Sequence, residues 1–327
     1  MVQSFVIQHT PEITQIKVPL PFPLRWVNSY AIRGSGGWTV IDPGLRTAEA
    51  ESLWDTVLQS LGAHFEDIEQ VVLTHHHPDH YGLAGYFQER SGAPVYLSSA
   101  GYDQTLRLWG AGQPMTSELL GLFERHGLDS EKLQPMREHM DGFIPSVSPA
   151  PRVTFMKPGE QVRLGDRSYA AIHTPGHAMG HLVFYDESEQ IMFCGDHVLP
   201  QITPNVSYLP GGIDENPLDS FLRSLEEIGR YAVRKAYPGH REPFERFSER
   251  TADIIRHHHQ RLEQMAAMLD VPKTAYEVCR GTFGDKLSFH QLRFALSETL
   301  AHLIYLNKQG VIEQTADQTG VIRYLKA

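Results

Sequence analysis

Six consecutive residues, His75-His76-His77-Pro78-Asp79-His80, constrain the fold more than any other stretch of the chain. They follow Ile68–Leu73, a short apolar run that reads as a strand, and precede a helical pattern at 81–90. In an extended turn, side chains two apart point the same way, so His75 and His77 can converge on one ion. Asp79 and His80 then stand at a helix start and can face a second ion. Three later segments offer further ligands: Thr174-Pro175-Gly176-His177, Gly195-Asp196 and Pro238-Gly239-His240. Each follows a predicted strand, and the adjacent glycine permits the sharp turn that a ligand-bearing loop needs. Imidazole and carboxylate are ligands that suit zinc, iron and manganese. Seven candidates suffice for two divalent metal ions a few ångströms apart with one shared carboxylate.

Around this motif the pattern alternates. Strands are predicted at Ile13–Leu20, Val27–Ile32, Trp38–Ile41, Val95–Leu97, Val153–Met156, Tyr169–His173, Leu182–Tyr185, Ile191–Cys194 and Lys235–Tyr237. Helical spacing is found at Thr47–Leu61, through Tyr102–Met140 with glycine and proline breaks, and at Leu218–Ile228. After Pro243 the character changes to Phe247–Leu269, Thr274–Arg280 and a helix capped by Ser288 and running through Asn307, followed by a hairpin at Val311–Leu325. Three helices and a hairpin make a winged-helix-like module. The expected division is therefore 1–245 and 246–327.

With 41% hydrophobic and 21% charged residues, the 327-residue chain reads as soluble and globular. Two cysteines cannot build a disulfide framework, and Cys194 reads as a small core residue. Neither a secretory leader pattern nor an apolar run long enough for a membrane span is visible, so a cytoplasmic location without membrane partners is expected. The net charge of −10 disfavours nucleic acid. From residue 251 onward nine basic residues meet eight acidic ones, a net of +1, which leaves −11 on the first 250 residues. The third C-terminal helix carries Arg293 and Glu298 where a DNA-reading helix presents several basic or amide groups. This module is therefore expected to serve packing, homodimer formation or active-site closure. Between strands, Tyr102–Val147 is too apolar for a solvated loop (Leu106, Trp109, Leu119, Phe123, Phe143) and reads as a helical lid over a substrate with an apolar portion.

The ordered set His75-x-His77-x-Asp79-His80, His177, Asp196 and His240 resembles the metallo-β-lactamase-fold hydrolase superfamily over roughly residues 10–245. The C-terminal module and the stretch Leu199–Asn205 are similar to a branch with an appended winged-helix domain, which includes lactamase-beta-like endoribonucleases. The resemblance implies an α/β fold, an αββα sandwich with metals at one edge of two sheets. It implies that His75, His77 and His177 hold one ion, that Asp79, His80 and His240 hold the other, and that Asp196 bridges them. A water shared by two such cations becomes a hydroxide at neutral pH, positioned with the help of Asp79 and Asp196. Asp42, in Ile41-Asp42-Pro43-Gly44, looks like the family's early aspartate, either supporting a ligand or simply forming a turn, and His181 matches a family position that is often His or Ser, read either as orienting a ligand or as a plain buried polar group.

Other histidines are expected to stand apart. His76 should point away from the ions, and His173 ends a strand. His257-His258-His259 fan out on a helix and suit a solvated face or a domain contact. Departures narrow the chemistry implied by the family: a bridging Asp196 argues against a true β-lactamase, and Leu199 stands where quorum-quenching lactonases carry a tyrosine. The expected activity is hydrolysis of a small acyl ester or thioester, with phosphodiester or RNA cleavage as the alternative.

Overall fold

A computed structural model describes residues 5–110, 112 and 114–327. The first sheet takes seven strands in chain order: β1 (Val6–Gln8), β2 (Ile13–Pro19), β3 (Trp26–Arg33), β4 (Trp38–Ile41), β5 (Ile68–Val72), β6 (Val95–Ser98) and β7 (Val153–Met156). The first four pair antiparallel, and β4 through β7 pair in parallel. Parallel pairing requires crossovers, and helices supply them. They are α1 (Ala48–Ser60), α2 (Pro78–Tyr81), α3 (Ala84–Ser91), α4 (Ser99–Trp109), α5 (Pro114–Arg125) and α6 (Leu133–Asp141). Thr47 starts α1 by accepting the Ala50 N–H at 3.1 Å, with Glu49 and Glu51 in the first turn where the helix dipole favours acids.

The second sheet holds β8 (Gln161–Leu164), β9 (Arg167–His173), β10 (Leu182–Asp186), β11 (Ile191–Gly195) and β12 (Lys235–Pro238), in the order β12-β11-β10-β9-β8. Its crossover between β11 and β12 is α7 (Pro217–Ile228). The chain ends in α8 (Phe247–Ala267), α9 (Ala275–Phe283), α10 (Phe289–Lys308) and the hairpin β13 (Ile312–Ala316) with β14 (Ile322–Lys326).

The layers follow from side-chain alternation. On β10, Leu182 and Phe184 point into the space between the sheets, where they meet Tyr30, Ile41 and Val72 of the first sheet. Val183 and Tyr185 point the other way, toward Phe221 and Leu225 of α7. The strand is buried on both faces, which is why its sequence is continuously apolar. The outer face of the first sheet packs Val40 and Val71 against Trp54 of α1 and Phe87 of α3. Helix, sheet, sheet and helix thus form the expected mixed α/β sandwich.

Two strands, β1 and β8, carry no sequence signal: β1 is three residues long, and β8 is a partly exposed edge strand of only four. The helix expected at 81–90 is two pieces, α2 and α3, joined at Gly82. The C-terminal helices share one continuous apolar cluster with α5, α6, α7 and the outer face of β10 and β11.

Candidate metal centre

The ligand-bearing segments all follow the carboxyl ends of strands. The turn after β5 carries His75 and His77, and His77 starts α2, whose first turn holds Asp79 and His80. His177 lies in the loop from β9 to β10, Asp196 directly follows β11, and His240 follows β12. Glycine is obligatory at two of these turns. At Gly176 (φ +119°) a Cβ would lie 2.3 Å from the Phe221 Cβ, and at Gly239 it would lie 2.2 Å from Asp196 Oδ1.

The seven side chains converge. His75, His77 and His177 form one group, and Asp79, His80 and His240 form another. In the first, His75 Nε2 is 2.9 Å from His77 Nδ1 and 3.3 Å from His177 Nε2. In the second, His240 Nε2 is 3.3 Å from Asp79 Oδ2, and His80 Nε2 is 3.9 Å from it. Asp196 lies between them: Oδ2 is 3.8 Å from His177 Nε2 and 3.3 Å from His240 Nε2, and Oδ1 is 3.4 Å from His80 Nε2. Ligand atoms about 2.1 Å from a tetrahedral ion stand roughly 3.4 Å apart, so both groups fit a cation of zinc size. His80 Nε2 and Asp196 Oδ1 are also buried without a hydrogen-bond partner, as two atoms awaiting an ion would be.

Surrounding groups aim the imidazoles. The Nδ1 of His80 donates to Asp42 Oδ2 at 2.8 Å, that of His75 to Thr74 Oγ1 at 3.0 Å, that of His177 to the Asn205 carbonyl at 2.7 Å, and that of His240 to the Trp26 carbonyl at 3.0 Å. Each bond leaves Nε2 free to face the centre, which is the usual device for orienting a metal-binding histidine. Asp42 is buried and also accepts from the Thr74 N–H at 2.8 Å and the Thr74 hydroxyl at 2.6 Å. Asp42, His75 and His80 could also be grouped as a third ligand set, but the Asp42 carboxylate is already fully engaged. His181 receives the Asp196 N–H on Nε2 at 3.1 Å and meets Thr174 Oγ1 through Nδ1 at 2.8 Å, so it fixes the backbone that carries Asp196.

Burial opposes charge throughout the centre, and neighbours decide the outcome. At Asp196 burial is outweighed by His240 and His80, which hold the carboxyl well below its ordinary range. At His240 burial is outweighed by Asp196 and Asp79, and the pKa rises to about 10. His80 is raised in the same way by Asp196, Asp42 and Asp79. At His75 burial and the neighbouring His80 and His77 act together and hold the ring neutral. The protons on His80 and His240 stand in for the positive charge that a divalent ion would bring.

A cavity of about 260 Å³ opens over the centre and is bordered by Asp79, Asp196, His77, His177 and His240. The segment expected as a lid supplies Leu108, Trp109, Leu119 and Phe143 to its wall, while Phe123, Met136 and Met140 of the same segment pack into the core. Leu199 and Ile202–Asn205 form another side. The C-terminal part adds His290, Arg293, Phe294 and Ser297 from α10.

Three further side chains near the centre are placed by packing. His76 belongs to neither ligand group; it is buried, lines the cavity, and neither ring nitrogen has a partner. Of the two roles expected for the His257–His259 run, His258 makes a contact between elements: it packs edge-on to Phe221 of α7 and meets His302 Nε2 at 3.1 Å. Arg293 turns inward to the cavity, where burial lowers its pKa to about 10. His173 does end its strand, held at 2.7 Å by the Met179 carbonyl, and Cys194 is buried in the core. Thr74 and His290 belong to the site without any sequence signal of their own. The one arginine of α10, set between apolar neighbours Leu292 and Phe294, is the available sign for the inward-facing wall.

Residues 24–240 match the sequence profile described as "Metallo-beta-lactamase superfamily". Residues 262–327 match one described as "Metallo-beta-lactamase-like, C-terminal domain". The "Probable metallo-hydrolase YqjP" of Bacillus subtilis (strain 168) is 28% identical over 312 residues, 93% of this chain and 94% of that one. The "Acyl-coenzyme A thioesterase MBLAC2" of Gallus gallus is 29% identical over 169 residues, 52% of this chain and 55% of that one. Among solved structures, a metallo-beta-lactamase family protein from Thermus thermophilus superposes with a TM-score of 0.86 at 34% identity, covering 98% of this chain and 100% of that one. Among the described residues no helix is long and apolar enough to cross a membrane.

Proposed function

The chain belongs to the metallo-beta-lactamase superfamily, and from that premise we propose that it is a dinuclear metal-dependent hydrolase of a small acyl thioester or ester. The observation that carries the reading is the apolar cavity set directly over two ligand groups with the Asp196 carboxylate between them. The likeness to a protein named as an acyl-coenzyme A thioesterase supports the acyl side of it. His75, His77 and His177 would hold one divalent ion, and Asp79, His80 and His240 the other, with zinc, iron and manganese all suited to this donor set. Bound there, the ions would supply an acidified water and positive charge for a developing oxyanion.

The chain's own residues do the rest. Asp79 and Asp196 border the cavity and orient the attacking water. Phe143, Leu119 and Leu199 hold the acyl chain and exclude bulk solvent, so that charge interactions at the carbonyl are strengthened. We read residues 1–245 as the catalytic unit and 246–327 as a winged-helix-like unit that closes one wall of the site through α10. A cytoplasmic enzyme acting on a small molecule, without nucleic-acid or membrane partners, fits this arrangement.

The test is kcat/KM for an acyl thioester and ester series against single-stranded RNA, at equal metal content. Acyl turnover that is abolished by Asp196→Ala is expected. RNA turnover above every acyl compound, also abolished by Asp196→Ala, would replace the reading with a phosphodiesterase.

A further inference from the structure

The wall that α10 presents to the cavity contains more polar chemistry than an aliphatic acyl group can use. Arg293 is half-buried, and its guanidinium lies 4.1 Å from the Phe294 ring centre and 5.8 Å from that of Phe143. Its Nε–H is buried and has no acceptor, and the acid acting on it electrostatically, Asp79, belongs to the metal centre. Other atoms of the same lining are in the same condition: Trp109 Nε1, His290 Nδ1, Ser297 Oγ and both ring nitrogens of His76. Phe143 ties them together, with ring centres 6.4 Å from Trp109 and 6.2 Å from His290. Most of these groups are donors, and one is a fixed positive charge. Buried donors without acceptors are costly, so a ligand that brings acceptors is strongly favoured.

We propose that Arg293, with Trp109 and His76, forms a subsite for a carboxylate carried by the acyl portion of the substrate, so that the enzyme acts on monothioesters or monoesters of dicarboxylic acids. The inference rests on the acyl-hydrolase reading above and specifies its substrate class. A guanidinium flanked by aromatic rings donates in its own plane, which matches the two coplanar oxygens of a carboxylate. A single negative charge also suits a site already bordered by Asp79 and Asp196 better than a phosphate dianion, whose burial costs more. The reaction is a plain hydrolysis. Water oxygen bonds to the acyl carbon, the carbon–sulfur bond breaks, and sulfur leaves as a thiolate that takes up a proton. The free dicarboxylate is the product.

The metal-loaded protein is assayed with paired N-acetylcysteamine thioesters, glutaryl against pentanoyl, which match in chain length and differ in the distal carboxylate. A succinyl-to-suberyl series then sets the preferred distance. Wild type is expected to favour the charged partner by about 10- to 100-fold in kcat/KM, mainly through KM, the range for a bond to a charged group. Arg293→Gln should collapse that ratio toward unity, and Arg293→Lys should leave an intermediate ratio because it keeps charge without the fork. Trp109→Phe, which removes one donor and keeps the ring, should lower the ratio as well and serves if Arg293→Gln does not fold. A wild-type ratio at or below unity, or a ratio untouched by these substitutions, overturns the proposal. If wild type hydrolyses neither thioester, the acyl-hydrolase reading is what has failed, and calorimetry with free glutarate and pentanoate decides the subsite. Glutarate bound by wild type and lost in Arg293→Gln supports it. Equal or absent binding means that water serves these donors, and the proposal falls.

Discussion

Replacing Asp42 by asparagine tests how the metal centre is held, because it changes two protons and almost no volume. Asp42 sits at φ +50°, a backbone region that asparagine tolerates as well as aspartate, so the turn itself should survive. The carboxylate accepts three hydrogen bonds: the Thr74 N–H on one oxygen, the Thr74 hydroxyl and His80 Nδ1 on the other. An amide has one accepting oxygen. If that oxygen faces His80, the NH2 group faces the Thr74 N–H, and if it faces Thr74, the NH2 group faces the Nδ1–H of His80. Either way a donor meets a donor in a buried place. A bond to a charged group contributes about 1.5–3 kcal/mol, and an unsatisfied partner adds to the loss, so metal-free stability should fall by about 2–4 kcal/mol. Loss of the group that orients a ligand typically weakens metal binding by about 10- to 100-fold. That loss should fall on the group containing His80 and spare the group of His75, His77 and His177. Chelator competition on each cation, with unfolding of the metal-free protein followed in parallel, measures both effects. An Asp42→Asn protein that binds two cations within about threefold of wild type would refute the claim that this carboxylate orients His80.

Three further outcomes are expected. Asp196→Ala and His77→Ala should each lower kcat by at least about 100-fold while circular dichroism stays native, since each removes a metal-facing group; retained activity in either rejects the proposed mechanism. Gly239→Ala would place a Cβ 2.2 Å from Asp196 Oδ1 and 2.7 Å from His80 Cε1, so elemental analysis should show fewer than two ions per chain, and full occupancy would contradict the geometry. Burial holds His126 and His302 at about 4 and His258 at about 2, below the usual 6.5, so they remain neutral in the folded chain while the unfolded chain takes up protons. The stability they contribute is complete above pH 6.5 and is lost as pH falls toward their folded values, roughly 2 kcal/mol each by pH 5. His302→Gln should make this decline shallower by close to one proton in metal-free protein, and an unchanged slope would show that His302 is not buried neutral.

The parts of this molecule that sequence reveals are those set by local periodicity and by adjacency along the chain. Continuous apolar runs such as Leu182–Tyr185 announce doubly covered strands, and His75 to His80 announces its own convergence because the ligands are neighbours. Thr47 and Ser288 mark helix starts because capping is a local event. What escapes depends on the third dimension. Nothing local tells β8 from a loop, since an edge strand lacks a buried run on either side. His76 lies between two ligand positions, and alternation keeps it out of the ligand groups, but alternation cannot say that it still lines the same buried cavity. Arg293 is visible as the one arginine on its helix, yet its direction is decided by packing against Phe143 from a segment far earlier in the chain.

The wall contributed by α10 also sets an order of events at birth. The last of the seven side chains gathered at the centre, His240, leaves the ribosome before the helix that carries Arg293, Phe294 and Ser297. Glu298 on that helix also grips Asn205, at 2.7 Å, whose carbonyl aims His177. At about 5–20 residues per second, the remaining chain takes several seconds to synthesise. During that interval all seven donors have been synthesised while the wall that encloses them, and the Glu298 that holds Asn205, have not. The finished geometry around His177 is therefore set only after the last helix is made, by residues nearly a hundred positions beyond Asn205.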